Sequence, residues 1–165
     1  MNVWRAAAMV AFTALAVVGC TPAPRALIAV ERTESGHARV LTAGCPEYVA
    51  LQFSVSSSGG SVGHKRWAIS SGAMGGPLDT VDVFSTPSGW RAYRSDLSDL
   101  KGGSEYTVAM NGAVRGRGLD GHLSFAPDQF EALKAGEVLV TEDGETEVVS
   151  RSDFLKKDDR RCAPG

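Results

Sequence analysis

Four residue types in this 165-residue chain could carry covalent or proton-transfer chemistry. Cys20, Cys45 and Cys162 supply thiols, which act as nucleophiles or metal ligands when ionised and pair as disulfides in an oxidising compartment. Gly59-Gly60-Ser61-Val62-Gly63 has the GxSxG spacing of a nucleophile elbow, a sharp strand-to-helix turn that lifts a serine toward a histidine base. Ser98 and Lys101 have SxxK spacing, which sets an amine where it could take a hydroxyl proton. His37, His64 and His122 are the only histidines, and three imidazoles could hold zinc or copper.

The surroundings of these motifs argue against each chemistry. An elbow needs a buried strand before it and a helix after it, whereas a Ser/Gly loop from Ser57 precedes Ser61 and a β-like run from Arg66 to Ile69 follows. The SxxK pair resembles a motif of penicillin-binding proteins, but its companion motifs have no usable match and the chain is too short for that fold. The histidine spacings fit no ligand pattern, and each stands in a polar or glycine-rich stretch. The expectation is therefore a non-enzymatic binding or structural module, with no catalytic residues, no metal site and no cofactor. The alternative class is a small envelope hydrolase or metal-handling protein. What separates the two is whether an acid, a base and a concave pocket converge in space.

The N-terminus has the outline of a signal peptide. One basic residue, Arg5, precedes an uncharged run of 13 residues, Ala6 to Val18, interrupted only by Thr13. That is shorter than the roughly 20 residues needed to span a bilayer. Val17, Val18, Gly19 and Cys20 resemble the bacterial lipobox, with a branched apolar residue at −3, a small one at −1 and then the cysteine. The resemblance implies cleavage before Cys20, lipidation of its thiol and attachment to the extracytoplasmic side of a membrane. Two acyl chains anchor stably without a membrane-spanning helix. An ordinary secretory signal, or a buried apolar helix of a cytosolic domain, is the competing reading. Thr21 is not the aspartate of an inner-membrane retention signal. The Ala-, Gly-, Arg- and Val-rich chain is also similar to small actinobacterial lipoproteins, which implies an address and no activity.

The expected organisation is a signal peptide at 1–19, a lipidated tether at 20–26 and one β-rich domain at 27–165. A mature chain of 146 residues suits a single core. It would hold 16 basic and 19 acidic residues, a balance that argues against nucleic acid as a partner. The expected partners are the membrane, through Cys20, and an envelope protein or glycan. Cys45 and Cys162 remain as an even pair, expected as a disulfide, with two free thiols or two metal ligands as the alternatives.

The elements needed to position these residues are mostly short strands. Leu27–Thr33 and Ala38–Thr42 read as a hairpin turning at Gly36. Tyr48–Ser56 alternates Val49, Leu51, Phe53 and Val55 on one face against Ala50, Gln52 and Ser54 on the other. Further strands are expected at Arg66–Ile69, Thr80–Phe84, Trp90–Tyr93, Tyr106–Met110 and Leu123–Phe125. Pro127 to Gly136 predicts a helix of about two turns, opened by proline and closed by glycine. Glu137–Thr141 and Thr146–Ser150 flank Asp143-Gly144, a two-residue hairpin signal. Ser152 is the expected N-cap of a short last helix, followed by a solvated charged run from Lys156 to Arg161.

Leu97, Leu100, Gly103 and Tyr106 resemble the segment of fibronectin type III domains that enters the penultimate strand, where the tyrosine forms a tyrosine corner. Tyr106 matches that tyrosine and Leu100 the leucine six residues earlier, while Gly102 stands where the family has proline. The resemblance spans about a dozen residues and implies a mainly β, immunoglobulin-like antiparallel sandwich, with Trp67 as a core tryptophan and the short helix, C-terminal hairpin and helical tail as additions. His64, Lys65, Arg66, Arg115 and Arg117 could form a basic patch or a solvated face. Trp90 reads as a core residue, with an exposed aromatic for a sugar or protein surface as the alternative.

Overall fold

The computed structural model describes residues 26–61, 63–72, 75–101, 105–156 and 159–162. The apolar N-terminal run, Cys20 and the tether lie outside these. Two five-stranded antiparallel sheets form a β-sandwich. The first has the order β10-β9-β1-β2-β5, from β1 (Ile28–Arg32), β2 (Ala38–Thr42), β5 (Thr80–Asp82), β9 (Glu137–Glu142) and β10 (Glu145–Ser150). The second has the order β6-β4-β3-β7-β8, from β3 (Tyr48–Ser58), β4 (Arg66–Ser70), β6 (Arg91–Ser95), β7 (Glu105–Val114) and β8 (Arg117–Phe125). One apolar cluster joins Val30, Val40 and Leu139 of the first sheet to Phe53, Trp67, Met110 and Leu123 of the second. Ala26 is buried in it as well.

Two expected hairpins form where their turn residues require. Gly36 closes β1–β2 at φ +82°, and Asp143 and Gly144 close β9–β10 at φ 54° and 84°. The β7–β8 hairpin exceeds expectation, since β7 runs on to Val114 and β8 starts at Arg117. Arg115 and Gly116 turn it with φ 51° and 76°, the paired positive values of a tight two-residue turn. The alternation expected in β3 breaks at Leu51. A bulge between Ala50 and Gln52 shifts the register by one residue, so Tyr48, Ala50, Phe53 and Val55 point inward while Leu51 faces solvent.

Gly112 makes room for this arrangement. A Cβ there would lie 2.5 Å from the Tyr48 ring and 2.6 Å from the Val49 carbonyl oxygen. Burial, with a contribution from the Asp120 charge, pushes the Tyr48 phenol above its ordinary pKa. Its hydroxyl has no hydrogen-bond partner among the described residues.

The short helices differ from expectation in detail. The first, α1, covers only Pro127–Glu131, and Gln129 Oε1 accepts from the Ala126 N–H at 2.8 Å. The second, α2 (Arg151–Leu155), is capped by Ser150, two residues before the expected Ser152, because Ser150 Oγ accepts from the Asp153 N–H at 3.0 Å. A 3-10 turn, Asp159–Cys162, ends the described chain. Its Arg161 is not solvated as expected. Cys162 is bonded to Cys45, with Cα atoms 5.3 Å apart, and this draws Arg161 inward. Arg161 donates to the Phe154 carbonyl and lies 5.0 Å over the Phe154 ring.

The two ends of the sandwich are chemically distinct. One end holds Ala26, the disulfide, the Asp143-Gly144 turn and Arg115, ion-paired with Glu47. The other holds the Gly36 turn, the β3–β4 connection, Ser98–Lys101 and α1. The five residues of β1 separate them, about 16 Å at roughly 3.3 Å per residue.

Candidate functional site

The end opposite Ala26 contains an open cavity of about 670 Å³. Four separate pieces of chain build it: the end of β1 with its turn (Arg32 to Ala38), the residues after β5 (Val83, Phe84), the segment Ser98–Lys101, and α1 (Pro127, Phe130, Glu131). Its floor is apolar, because Ala38 and Phe130 are buried and Val83, Phe84 and Leu100 pack on the core while still lining the cavity. Its charged groups are Arg32, Asp99, Lys101 and Glu131, and the His37 side chain lines it beside them.

Local turns fix these side chains. Gly36 N–H bonds the Thr33 carbonyl at 2.8 Å, and the position of a Cβ on Gly36 lies 3.6 Å from Arg32 Nη2. Asp99 Oδ1 accepts from the Lys101 N–H at 3.0 Å, closing a turn that places both on the cavity. Phe84 has φ +67°, a left-handed value that a bulky residue adopts only when its surroundings enforce it. The enforcing contacts are the Val83 N–H to Ala38 carbonyl bond at 2.9 Å and the edge-on packing of Phe84 on Trp67, with ring centroids 5.7 Å apart. The wall of the cavity is therefore held at a cost in backbone energy.

Of the residues singled out in the sequence, His37, Ser98, Leu100 and Lys101 meet in this one cavity. Ser98 has no side-chain bond to His37 or Lys101 among the described residues. The histidines do not converge, since His122 lies in β8 opposite Ala109 and His64 in the β3–β4 connection. Among the described residues no group of three or more His, Cys, Asp or Glu could hold a metal ion. Ser61 sits in the connection between two antiparallel strands, with Val62 outside the described residues, so the GxSxG string lacks the helix an elbow requires. The basic residues divide between the ends. Arg66, in register with Ser56, donates to Ser54 Oγ at 2.9 Å, while Arg115 and Arg117 flank the far turn, so they form no common patch.

Trp67 is buried on β4, packed edge-on to Phe53, and Trp90 is half-buried against the core. The Tyr106 ring is fully buried 6.0 Å from Phe125. The loop that would complete a tyrosine corner includes residues 102–104, outside the described residues.

One contact that sequence reasoning missed is Ser35 Oγ to His37 Nδ1, at 2.9 Å on the cavity rim. A serine beside an imidazole is the first requirement of nucleophilic catalysis, and a third group orienting the base is the second. Here Thr33 Oγ1 bonds Ser35 and also accepts from the His37 N–H, and among the described residues no carboxylate contacts the imidazole. The trio closes the hairpin turn. Arg32, Phe84, Phe130 and Glu131 were also missed, because each is an ordinary strand-end or helix residue until distant segments are brought together.

The chain matches no protein-family model, no curated protein and no solved structure.

Proposed function

We propose that this chain is a lipid-anchored, extracytoplasmic binding module of a bacterial cell envelope, and that it presents the cavity to a partner away from the bilayer. The observation that carries this is the placement of the cavity at the end of the sandwich opposite Ala26. The lipobox-like Val17–Cys20 supports the anchor, and five residues in the sequence separate Cys20 from the buried Ala26. Five residues reach at most about 18 Å, so the Ala26 end would face the membrane and the cavity would face outward. Among the described residues no helix is long and apolar enough to cross a membrane.

The fold supports a binding role of the immunoglobulin-like kind. The pairing of β2 with β5, and the row β3-β7-β8, parallel the B–E and C–F–G pairings of those sandwiches. Trp67 lies one strand over from the tryptophan position of that plan, and β9 and β10 extend the first sheet. The loop end of such a sandwich is where ligand contacts gather.

A photo-crosslinking amino acid at Ser98 or at Arg117 tests this in intact cells. A discrete adduct is expected from position 98, on the cavity, and none of the same mass from position 117, at the proposed membrane-facing end. Identical adducts from both positions, or none from position 98, would overturn the proposal that the chain is a binding module acting through this cavity.

A further inference from the structure

The charges around the cavity are of both signs, and their side chains form no ion pair with one another among the described residues. Elsewhere on the surface arginines find carboxylates: Arg39 pairs with Asp82 at 2.6 Å, Arg94 with Asp96 at 2.5 Å and Arg151 with Glu31 at 2.9 Å. Among the described residues Arg32, Lys101, Asp99 and Glu131 form no such pair, although all four line one cavity. A carboxylate and a cation that share a cavity without meeting leave room for a ligand's own charges between them.

The floor between these charges is apolar and partly aromatic, from Phe84, Leu100 and Phe130. A wholly apolar ligand would strip water from four charges without replacing it, which is unfavourable. A simple anion would meet two carboxylates, and a simple cation would meet two basic groups. A neutral sugar would leave every charge uncompensated. A zwitterion with an apolar body satisfies both signs and the floor.

Building on the binding-module reading, we propose that the cavity takes a short zwitterionic peptide with apolar side chains. Its terminal carboxylate lies against Arg32 and Lys101, its terminal ammonium toward Asp99 and Glu131, and its side chains on Phe84, Leu100 and Phe130. The cavity of about 670 Å³ falls within the range of small-ligand sites and suits a ligand of a few residues. Charge-assisted contacts at both termini would make the two end groups, more than side-chain identity, the basis of recognition.

The test is titration of the 15N-labelled protein with Leu-Leu, N-acetyl-Leu-Leu and Leu-Leu amide, with an N-acetylglucosamine disaccharide alongside. Leu-Leu is expected to shift the amides of Gly36, Phe84 and Lys101. Each blocked dipeptide should bind at least tenfold more weakly. Lys101→Gln should weaken Leu-Leu tenfold or more yet leave the affinity for Leu-Leu amide within twofold, a pattern that loss of folding would not give; Arg32→Gln should repeat it. Equal binding of the blocked forms, or no dipeptide shifts in the cavity, would overturn the peptide assignment. If the disaccharide alone shifted these amides, the ligand class would be wrong and the binding module would stand; an absent cellular adduct at position 98 would overturn the binding-module reading on which this proposal rests.

Discussion

Replacing Cys45 or Cys162 with serine is expected to lower the unfolding free energy by about 5 kcal/mol at 25 °C, the chain-entropy value for a loop of 117 residues. The bridge ties the last described turn covalently to the β2–β3 connection, which links the two sheets. Without it, the 3-10 turn loses its anchor, and the unfolded ensemble gains the freedom of nearly the whole domain. Arg161 would then leave Phe154, exposing a ring that is now fully buried. Domains of this size have total stabilities of about 5–15 kcal/mol, so the loss is a large share. Thermal unfolding with and without reductant checks it. A fall in melting temperature on the order of 15 °C is expected, and equal melting temperatures would contradict a stabilising bridge.

The second large effect is expected at Phe53. It is fully buried at the centre of β3, with its ring centroid 5.8 Å from that of Trp67 at 71°, and Trp67 in turn meets Phe84 at 73°. Phe53→Ala should cost about 3–5 kcal/mol, from lost transfer energy and the cavity left behind. Part of the loss propagates. Trp67 would lose the edge contact that fixes it, and Phe84 is held in its left-handed conformation by Trp67 on one side. Phe53→Leu keeps more of the volume and should cost clearly less. Urea unfolding compares the two, and a loss under about 1 kcal/mol for alanine would show that this aromatic row is not the core's centre.

The sequence revealed the parts of the fold governed by local chemistry. Gly36 and Asp143-Gly144 mark turns because few other residues accept their dihedral angles, and the structure has hairpins at both. The β7–β8 hairpin was only partly legible. Asn111, Gly112, Gly116, Gly118, Asp120 and Gly121 give that stretch the composition of a loop, yet Gly112 is there because the Tyr48 ring and the Val49 carbonyl leave no space for a side chain. Gly121 is similarly hemmed in, with Ile28 and Leu27 atoms 3.1–3.2 Å from a Cβ there. These glycines report close packing. The bulge at Leu51 was invisible because alternation fits equally well in either phase until a partner strand fixes it.

The candidate site was legible in fragments. His37, Ser98, Leu100 and Lys101 stood out for catalytic, metal or family reasons, and the cavity unites them for a different reason, their shared position at one end of the sandwich. Concavity depends on which loops end up adjacent, and spacing along the chain does not encode that. The strain at Phe84 has no sequence signal, because nothing in Val83-Phe84-Ser85 demands a positive φ. The proposed anchor at Cys20 is the reverse case: it rests on a local motif of consecutive residues, Val17 to Cys20, and the proposed orientation of the sandwich follows from that motif alone.

Intact mass of the mature protein, expressed in bacteria from its full-length sequence and extracted from membranes with detergent, tests the central claim most directly. The expected result is a chain beginning at Cys20 and carrying the added mass of a diacylglyceryl group, with both the cut before position 20 and the acyl mass absent from Cys20→Ala. A mature chain beginning elsewhere, or one beginning at Cys20 without acyl mass, would contradict it.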